Sequence, residues 1–193
     1  MVSLLRRRAM MVQAAAPVST LLVFDDRDFT ISAGGGGFKK SYLTVSNGNH
    51  FKYYCGRRGN SYSAYVNLTE TSITANSSWP AMFSINAGDA VNVVLRNVSI
   101  KCDKSASYNG YVQFTLRDTS TASVFGWTGT TSDSPLYAVG GSPKTYEELT
   151  VSFTAANSID FASFRFYGYG SAQSCNMELE CDVEIYINDT RIM

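Results

Sequence analysis

The sequence predicts an all-β fold: an antiparallel two-sheet β-sandwich, jelly-roll-like, with an extended N-terminal arm. Three observations carry that prediction. Residues 175–187 alternate apolar and polar side chains without a break. Shorter alternating runs recur along the chain with Gly/Asn/Ser turns between them, as the strands of a sandwich do. No stretch carries the 3.6-residue apolar period of an amphipathic helix. The bulk figures agree, because 45% hydrophobic, 13% aromatic and only 17% charged residues with 15 Gly suit sheets and turns and disfavour disorder. At 193 residues the chain fits one domain, read as a basic arm over 1–19 and a β-sandwich domain over 20–193.

The arm opens on Arg6, Arg7 and Arg8 and ends near Ala14, Ala15, Ala16 and Pro17. Its apolar stretch is short and interrupted by Gln13, so an uncleaved arm is expected rather than a signal peptide. No run reaches the roughly 18 apolar residues of a membrane helix, and no membrane span is expected. Residues 20–31 begin with Leu21, Leu22, Val23 and Phe24 and turn acidic at Asp25, Asp26 and Asp28. Carboxylates clustered at a strand end are the oxygen donors that Ca2+ prefers, so these three are the candidate metal ligands, without the spacing of an EF-hand. No other cofactor is expected. Gly34 to Gly37 form a joint; Phe38, Lys39, Lys40 and Ser41 follow in place of the ending of a phosphate-binding loop.

Residues 40–46 and 51–55 alternate on either side of Asn47-Gly48-Asn49, the strongest local hairpin signal. A basic turn with Arg57 and Arg58 leads to short strands at 62–68, 72–75 and 82–85. Beyond the Ala87-Gly88-Asp89 turn, residues 90–101 are expected to place Val91, Val93 and Leu95 on one face and Val94, Val98 and Ile100 on the other. In 111–117, Val112, Phe114 and Leu116 point inward, while Tyr111, Gln113, Thr115 and Arg117 point outward. Residues 119–142 are mostly loop, with short strands at 124–127 and 136–139. Leu149, Val151 and Phe153 share a face in 148–154. In 159–169, Phe164 and Phe166 point inward and Arg165, Tyr167 and Tyr169 outward. The last strand buries Cys175, Met177, Leu179, Cys181, Val183, Ile185 and Ile187 and turns out Glu178, Glu180, Asp182, Glu184 and Tyr186. A slip of one residue would bury four carboxylates, so its register is fixed.

Catalytic constellations are missing from this pattern, and no enzymatic activity is expected. The four cysteines, Cys55, Cys102, Cys175 and Cys181, form no CxxC pair. Cys175 and Cys181 lie about 20 Å apart along one strand and do not bridge each other. Four buried thiols is the favoured reading; a bridge from Cys175 or Cys181 to Cys102 or Cys55 is the other. The single histidine, His50, is expected as a solvated turn side chain. The acidic residues of the last strand lie in a row, not facing each other across a cleft as glycoside hydrolysis requires. Nucleic acid is not an expected partner, since the sandwich portion is acidic.

Two surface features point to binding and assembly. Tyr111, Gln113 and Arg117 on one strand and Arg165, Tyr167 and Tyr169 on another would make one patch if the strands share a sheet, and aromatic rings among hydrogen-bonding side chains suit stacking on sugars. Charge is also split: residues 1–60 carry nine Lys/Arg and three Asp/Glu, a net +6, and the remainder seven and thirteen, a net −6. A head-to-tail contact is therefore expected between Arg6, Arg7 and Arg8 of one copy and Glu178, Glu180, Asp182 and Glu184 of the next.

From residue 87 onward the order of features resembles the jelly-roll carbohydrate-binding modules: an Ala87-Gly88-Asp89 turn into a long strand, the run Thr145-Tyr146-Glu147-Glu148-Leu149-Thr150-Val151-Ser152-Phe153-Thr154-Ala155, then Phe164-Arg165-Phe166-Tyr167-Gly168 before the terminal strand. The resemblance implies a sugar-binding sandwich, yet the family's stacking positions are not carried over, because Trp79 and Trp127 fall in loops. The opening Leu4-Leu5-Arg6-Arg7-Arg8-Ala9-Met10-Met11 is similar to the starts of some bacteriophage virion proteins, in which a sandwich serves as head fibre, decoration or tail component. That implies a non-enzymatic accessory protein located in a virion, docked through its arm, with a homo-oligomer, other virion proteins and a cell-surface glycan as partners. The alternative is a carbohydrate-binding module secreted by a bacterium.

Overall fold

A computed structural model describes residues 29–34, 40–56, 63–70, 81–103, 108–120, 122–170 and 176–193. These contain thirteen strands: β1 (Phe29–Gly34), β2 (Lys40–Ser46), β3 (His50–Gly56), β4 (Ser63–Glu70), β5 (Phe83–Ile85), β6 (Ala90–Cys102), β7 (Asn109–Asp118), β8 (Ser123–Trp127), β9 (Tyr137–Val139), β10 (Lys144–Thr154), β11 (Ile159–Gly170), β12 (Met177–Ile187) and β13 (Thr190–Arg191). No helix occurs among the described residues. Expected strand 72–75, the acidic cluster Asp25, Asp26 and Asp28, the arm, most of the Gly34–Gly37 joint, Trp79 and Cys175 lie outside them.

All pairings are antiparallel, and the strands divide into two sheets. Sheet A runs β1-β4-β11-β7-β8, with β5 also paired to β11 and β9 to β7. Sheet B runs β10-β6-β12-β3-β2, with β13 paired to β12. The chain crosses between sheets from β6 to β7 and again through β10, β11 and β12, the alternation of a jelly roll. Tight turns are built where the sequence supplies residues that tolerate positive φ. Asn47 (53°) and Gly48 (75°) turn β2 into β3, and Asn188 (47°) and Asp189 (63°) turn β12 into β13, Asn, Asp and Gly being the residues least strained in that conformation.

The core is the space between the sheets. Sheet B contributes Phe51, Tyr53, Val91, Val93, Leu95, Leu179, Cys181, Val183 and Ile185, and sheet A contributes Val112, Phe114, Leu116, Phe161, Phe164 and Phe166, all fully buried. An aromatic cluster joins the layers: Phe166 lies 5.6 Å from both Phe51 and Tyr53 and 4.9 Å from Phe114, and Phe164 lies 5.8 Å from Phe114. At one end of the core the inward positions of sheet A are glycine instead. A β-carbon on Gly168 would stand 2.6 Å from Cys55 Cβ and 3.0 Å from Tyr53 Oη. The missing side chain is what lets the large buried tyrosine lie against sheet A.

The expectation for residues 90–101 is corrected. Val91, Val93 and Leu95 do not oppose Val98 and Ile100; all five are buried in the one core. A β-bulge resolves the conflict. Between Glu180 and Asp182 of β12 the partners on β6 jump from Ser99 to Arg96, and Asn97 takes a φ of 52°. The extra residue flips the alternation, so Val98, Ile100 and Cys102 return to the inside. The side chain of Asn97 anchors the bulge by donating to Asp182 Oδ2 at 2.6 Å. Trp127 falls in the expected short strand at 124–127 and not in a loop. It closes β8, is almost fully buried, and packs 6.2 Å from Phe114. The reading of four free thiols also fails: Cys55 and Cys181 are free and buried, but Cys102 is disulfide-bonded.

Two substitutions test this packing by equilibrium denaturation. Phe166→Ala empties the centre of the aromatic cluster and is expected to lower stability by about 3–5 kcal/mol. Gly168→Ala adds one methyl group against Cys55 and Tyr53 and is expected to lower it by about 1–3 kcal/mol.

Candidate ligand-binding face

The outer face of sheet A is set by the inner one. Because side chains alternate along a strand, burying Val112, Phe114 and Leu116 turns Tyr111, Gln113, Thr115 and Arg117 outward, and burying Phe164 and Phe166 does the same for Arg165, Tyr167 and Tyr169. β7 and β11 are immediate neighbours, with Tyr111 opposite Tyr169, Gln113 opposite Tyr167, Thr115 opposite Arg165 and Arg117 opposite Ser163. The six residues singled out as glycan contacts therefore share one face of one sheet. On the far side of β11, β4 places Tyr65 at the register position of Tyr167 and Asn67 at that of Arg165.

The rings form an ordered row. Tyr111 stacks on Tyr169 at 5.1 Å and 20° and on Tyr167 at 6.3 Å and 28°, and the Arg165 guanidinium sits 5.6 Å from the Tyr167 ring centre. Gln113 donates its amide N–H to the carbonyl of Thr128 at 2.6 Å, which ties the loop after β8 to the rim of the row. Tyr111 is half-buried. That burial, reinforced by Tyr167 and Tyr169 alongside, pushes its hydroxyl up to about 12, so Tyr111 keeps its proton over the ordinary pH range. It offers apolar ring faces, phenolic hydroxyls and the guanidinium groups of Arg165 and Arg117, a set that can stack on a sugar ring and bond its hydroxyls.

Sheet B presents the opposite chemistry. Three of the four acidic residues of β12 meet a lysine or arginine from their own sheet: Glu178 with Lys101 at 3.0 Å, Glu180 with Lys52 at 3.3 Å, and Glu184 with Arg96 at 2.8 Å and Arg191 at 3.4 Å. Arg96 also pairs with Glu148. His50 is not simply solvated. Its Nδ1 lies 2.7 Å from Asp182 Oδ1 and its Nε2 3.3 Å from Glu180 Oε1, so the one imidazole bridges two carboxylates. Burial works against the ionised form of Glu184, but the hydrogen bonds from Arg96 and Tyr186 and the charge of Arg191 outweigh it and hold the carboxyl below its usual range. Glu178, Glu180, Asp182 and Glu184 are thus already engaged within the chain, and the arm residues Arg6, Arg7 and Arg8 that were expected to meet them lie outside the described residues. Beneath the row, Cys181 is fully enclosed; burial first, then the charges of Asp182 and Glu180, raises its thiol far above the usual range, and it packs as a small apolar side chain.

Among the described residues, no three His, Cys, Asp or Glu side chains are grouped to hold a metal ion. Nor do the described residues include a helix long and apolar enough to cross a membrane. Sequence reasoning missed the ion-pair ladder of sheet B because most of its cations come from β3 and β6, far away in the chain; the signal that was available is the match between a Glu-rich outward row and the outward Lys52, Arg96 and Lys101.

No family model matches the sequence, and no curated protein is similar to it. Several solved structures are similar in architecture. The bacteriophage CBA120 tailspike protein 4 enzymatically active domain is 11% identical with a TM-score of 0.41, the match covering 83% of this chain and 19% of that one. The chain thus spans about a fifth of that structure's length. The CBM22-1 xylan-binding domain of Paenibacillus barcinonensis Xyn10C is 9% identical, with a TM-score of 0.37 and coverage of 86% and 88%. The family 11 xylanase of Neocallimastix patriciarum is 11% identical, with a TM-score of 0.38 and coverage of 86% and 94%. At these identities and scores the likenesses do not bear on what this chain does.

Two measurements follow from the two faces. The raised Tyr111 means the folded state holds its proton where the unfolded chain releases it, so this contribution to stability is whole below about pH 10 and is lost as pH rises towards about 12. Thermal unfolding across that window, followed with tyrosinate absorbance, should show the decline, and Tyr111→Phe should lessen it. Glu184→Lys sets a third cation against Arg96 and Arg191 and should lower the unfolding midpoint by several degrees in calorimetry, whatever the assembly state.

Proposed function

We propose that this protein is a non-enzymatic structural accessory protein of a bacteriophage virion, docked through its N-terminal arm, whose sandwich turns the tyrosine face of sheet A outward to contact glycans. The observation that carries the binding half of this reading is the convergence of Tyr111, Tyr167 and Tyr169 with Gln113, Arg117 and Arg165 on adjacent strands β7 and β11. An aromatic row bordered by fork-shaped donors is the arrangement by which proteins hold sugars: ring faces cover the apolar C–H surface, and the guanidinium and hydroxyl groups meet the sugar hydroxyls. The arm half rests on the basic cluster Arg6, Arg7 and Arg8 followed by the glycine joint. No cofactor is part of the proposal. The alternative, a carbohydrate-binding module secreted by a bacterium, uses the same tyrosine face and differs in what the arm does.

A glycan array probed with the full chain should reveal bound oligosaccharides. Tyr167→Ala and Tyr169→Ala should each weaken that binding by about tenfold, since an aromatic contact is worth up to about 1.5 kcal/mol. Array binding that is absent, or unchanged in both variants, counts against the glycan reading. Purified particles that retain the full chain but not a chain lacking residues 1–19 support virion docking; a chain that never copurifies with particles points to the secreted alternative.

A further inference from the structure

β10 is the outermost strand of sheet B. It pairs with β6 on one side, and none of the described residues pairs with the other. Its 11 residues extend roughly 36 Å at about 3.3 Å per residue, and every second one turns both its N–H and its C=O toward the open side. Proteins ordinarily blunt such an edge with a short strand, a bulge, a proline or an inward-pointing charge. The edge of sheet A at the same end of the sandwich is blunted in this way: β8 has five residues, a register shift against β7, and Gly126 at a φ of 135°. From Glu148 to Thr154, β10 has none of these devices. Its register with β6 runs unbroken from Glu148 opposite Arg96 to Thr154 opposite Ala90. Leu149, Val151 and Phe153 point inward yet are only half-buried, and Thr150, Ser152 and Thr154 are exposed. Phe153 packs against Phe125 of β8 at 4.1 Å, so a strand added here would meet apolar surface from both sheets.

We propose that β10 pairs antiparallel with β10 of a second copy of this chain, about a two-fold axis at Val151. The segment is self-complementary about that residue. Val151 faces Val151 of the second copy, Leu149 faces Phe153, Thr150 faces Ser152, and Glu148 faces Thr154. Inward residues meet inward residues, as one continuous sheet requires. Charge disfavours registers shifted towards the start of the strand: centring on Glu148 would bring two carboxylates face to face, and centring on Thr150 would set Phe153 against Glu147. At Val151 the only charge in the segment meets a hydroxyl, and that charge is already paired with Arg96. Such an isologous contact, with the same patch on both copies, closes at two.

The axis stands perpendicular to sheet B, so both copies keep sheet A on the same side and direct their tyrosine faces the same way. The dimer does not depend on the glycan reading; only its consequence does, which is two-handed attachment to a surface bearing many copies of the ligand.

The test is light scattering coupled to size exclusion on the full chain. The wild type should elute with the mass of a dimer, or of a multiple of dimers. Thr150→Lys with Ser152→Lys places like charges opposite each other across the axis at exposed positions, where folding is least disturbed, and should weaken self-association by about tenfold or more, halving the observed mass on dilution. Thr150→Glu with Ser152→Glu should do the same. Mixing the lysine and glutamate variants should restore the dimer as a heterodimer, an outcome misfolding cannot produce, and the thermal midpoint of each variant alone reports its folding. A monomeric wild type, a mass unchanged in both variants, or a mixture that stays monomeric would overturn the proposal. Glycan binding per chain by the monomeric variants should match the wild type on soluble ligand, which keeps failure of the dimer distinct from failure of the tyrosine face.

Discussion

The aromatic cluster between the sheets governs what the rest of the molecule can be. Phe51 and Tyr53 from sheet B close on Phe114, Phe164 and Phe166 from sheet A, and these large rings leave each strand one workable register. Since the side-chain period of a strand is two, a shift by one residue would exchange phenylalanines for tyrosines and an arginine in the core. The tyrosine row outside is therefore held in place by the phenylalanine row inside. The same clamp explains the glycine at position 168, where sheet A gives up a side chain so that Tyr53 and Cys55 of sheet B can lie against it.

Strands buried on one face and wet on the other were legible in the sequence, because their chemistry alternates in step with their geometry. β7, β11 and β12 fall where the alternation places them, and the β2–β3 hairpin falls at its Asn-Gly turn. The long strand β6 was misread for a definite reason. Val91 to Leu95 and Val98 to Ile100 occupy positions of opposite parity, which on a regular strand means opposite faces; only the inserted Asn97, in a conformation no periodicity rule anticipates, brings them to one side. The Gly, Ser and Thr residues around Trp127 give no local sign of its burial, which depends on Phe114 in another strand. The first residues of β10, Lys144 to Glu147, carry no clean alternation of their own and are drawn into the sheet by β6.

The candidate site divides in the same manner. The facing of Tyr111, Gln113 and Arg117 and of Arg165, Tyr167 and Tyr169 followed from local parity, whereas their adjacency depended on which strands are neighbours. The partners of His50, Glu180 and Glu184 were hidden for that second reason: Asp182 is 132 positions from His50 in the chain and is brought to it only by the pairing of β3 with β12. Side-chain direction is a local property, and contact is a topological one.

The ion-pair ladder of sheet B and the stacked tyrosines of sheet A give the two broad faces opposite sensitivity to ionic strength. Added salt screens the exposed pairs Lys52–Glu180 and Lys101–Glu178 and slackens the outer side of one layer. The same salt, if strongly hydrated, favours burial of apolar surface and tightens the ring row on the other. The sandwich is thus a two-sided plate whose outer faces answer the surrounding electrolyte in contrary directions, joined by a core whose apolar burial the same salt strengthens.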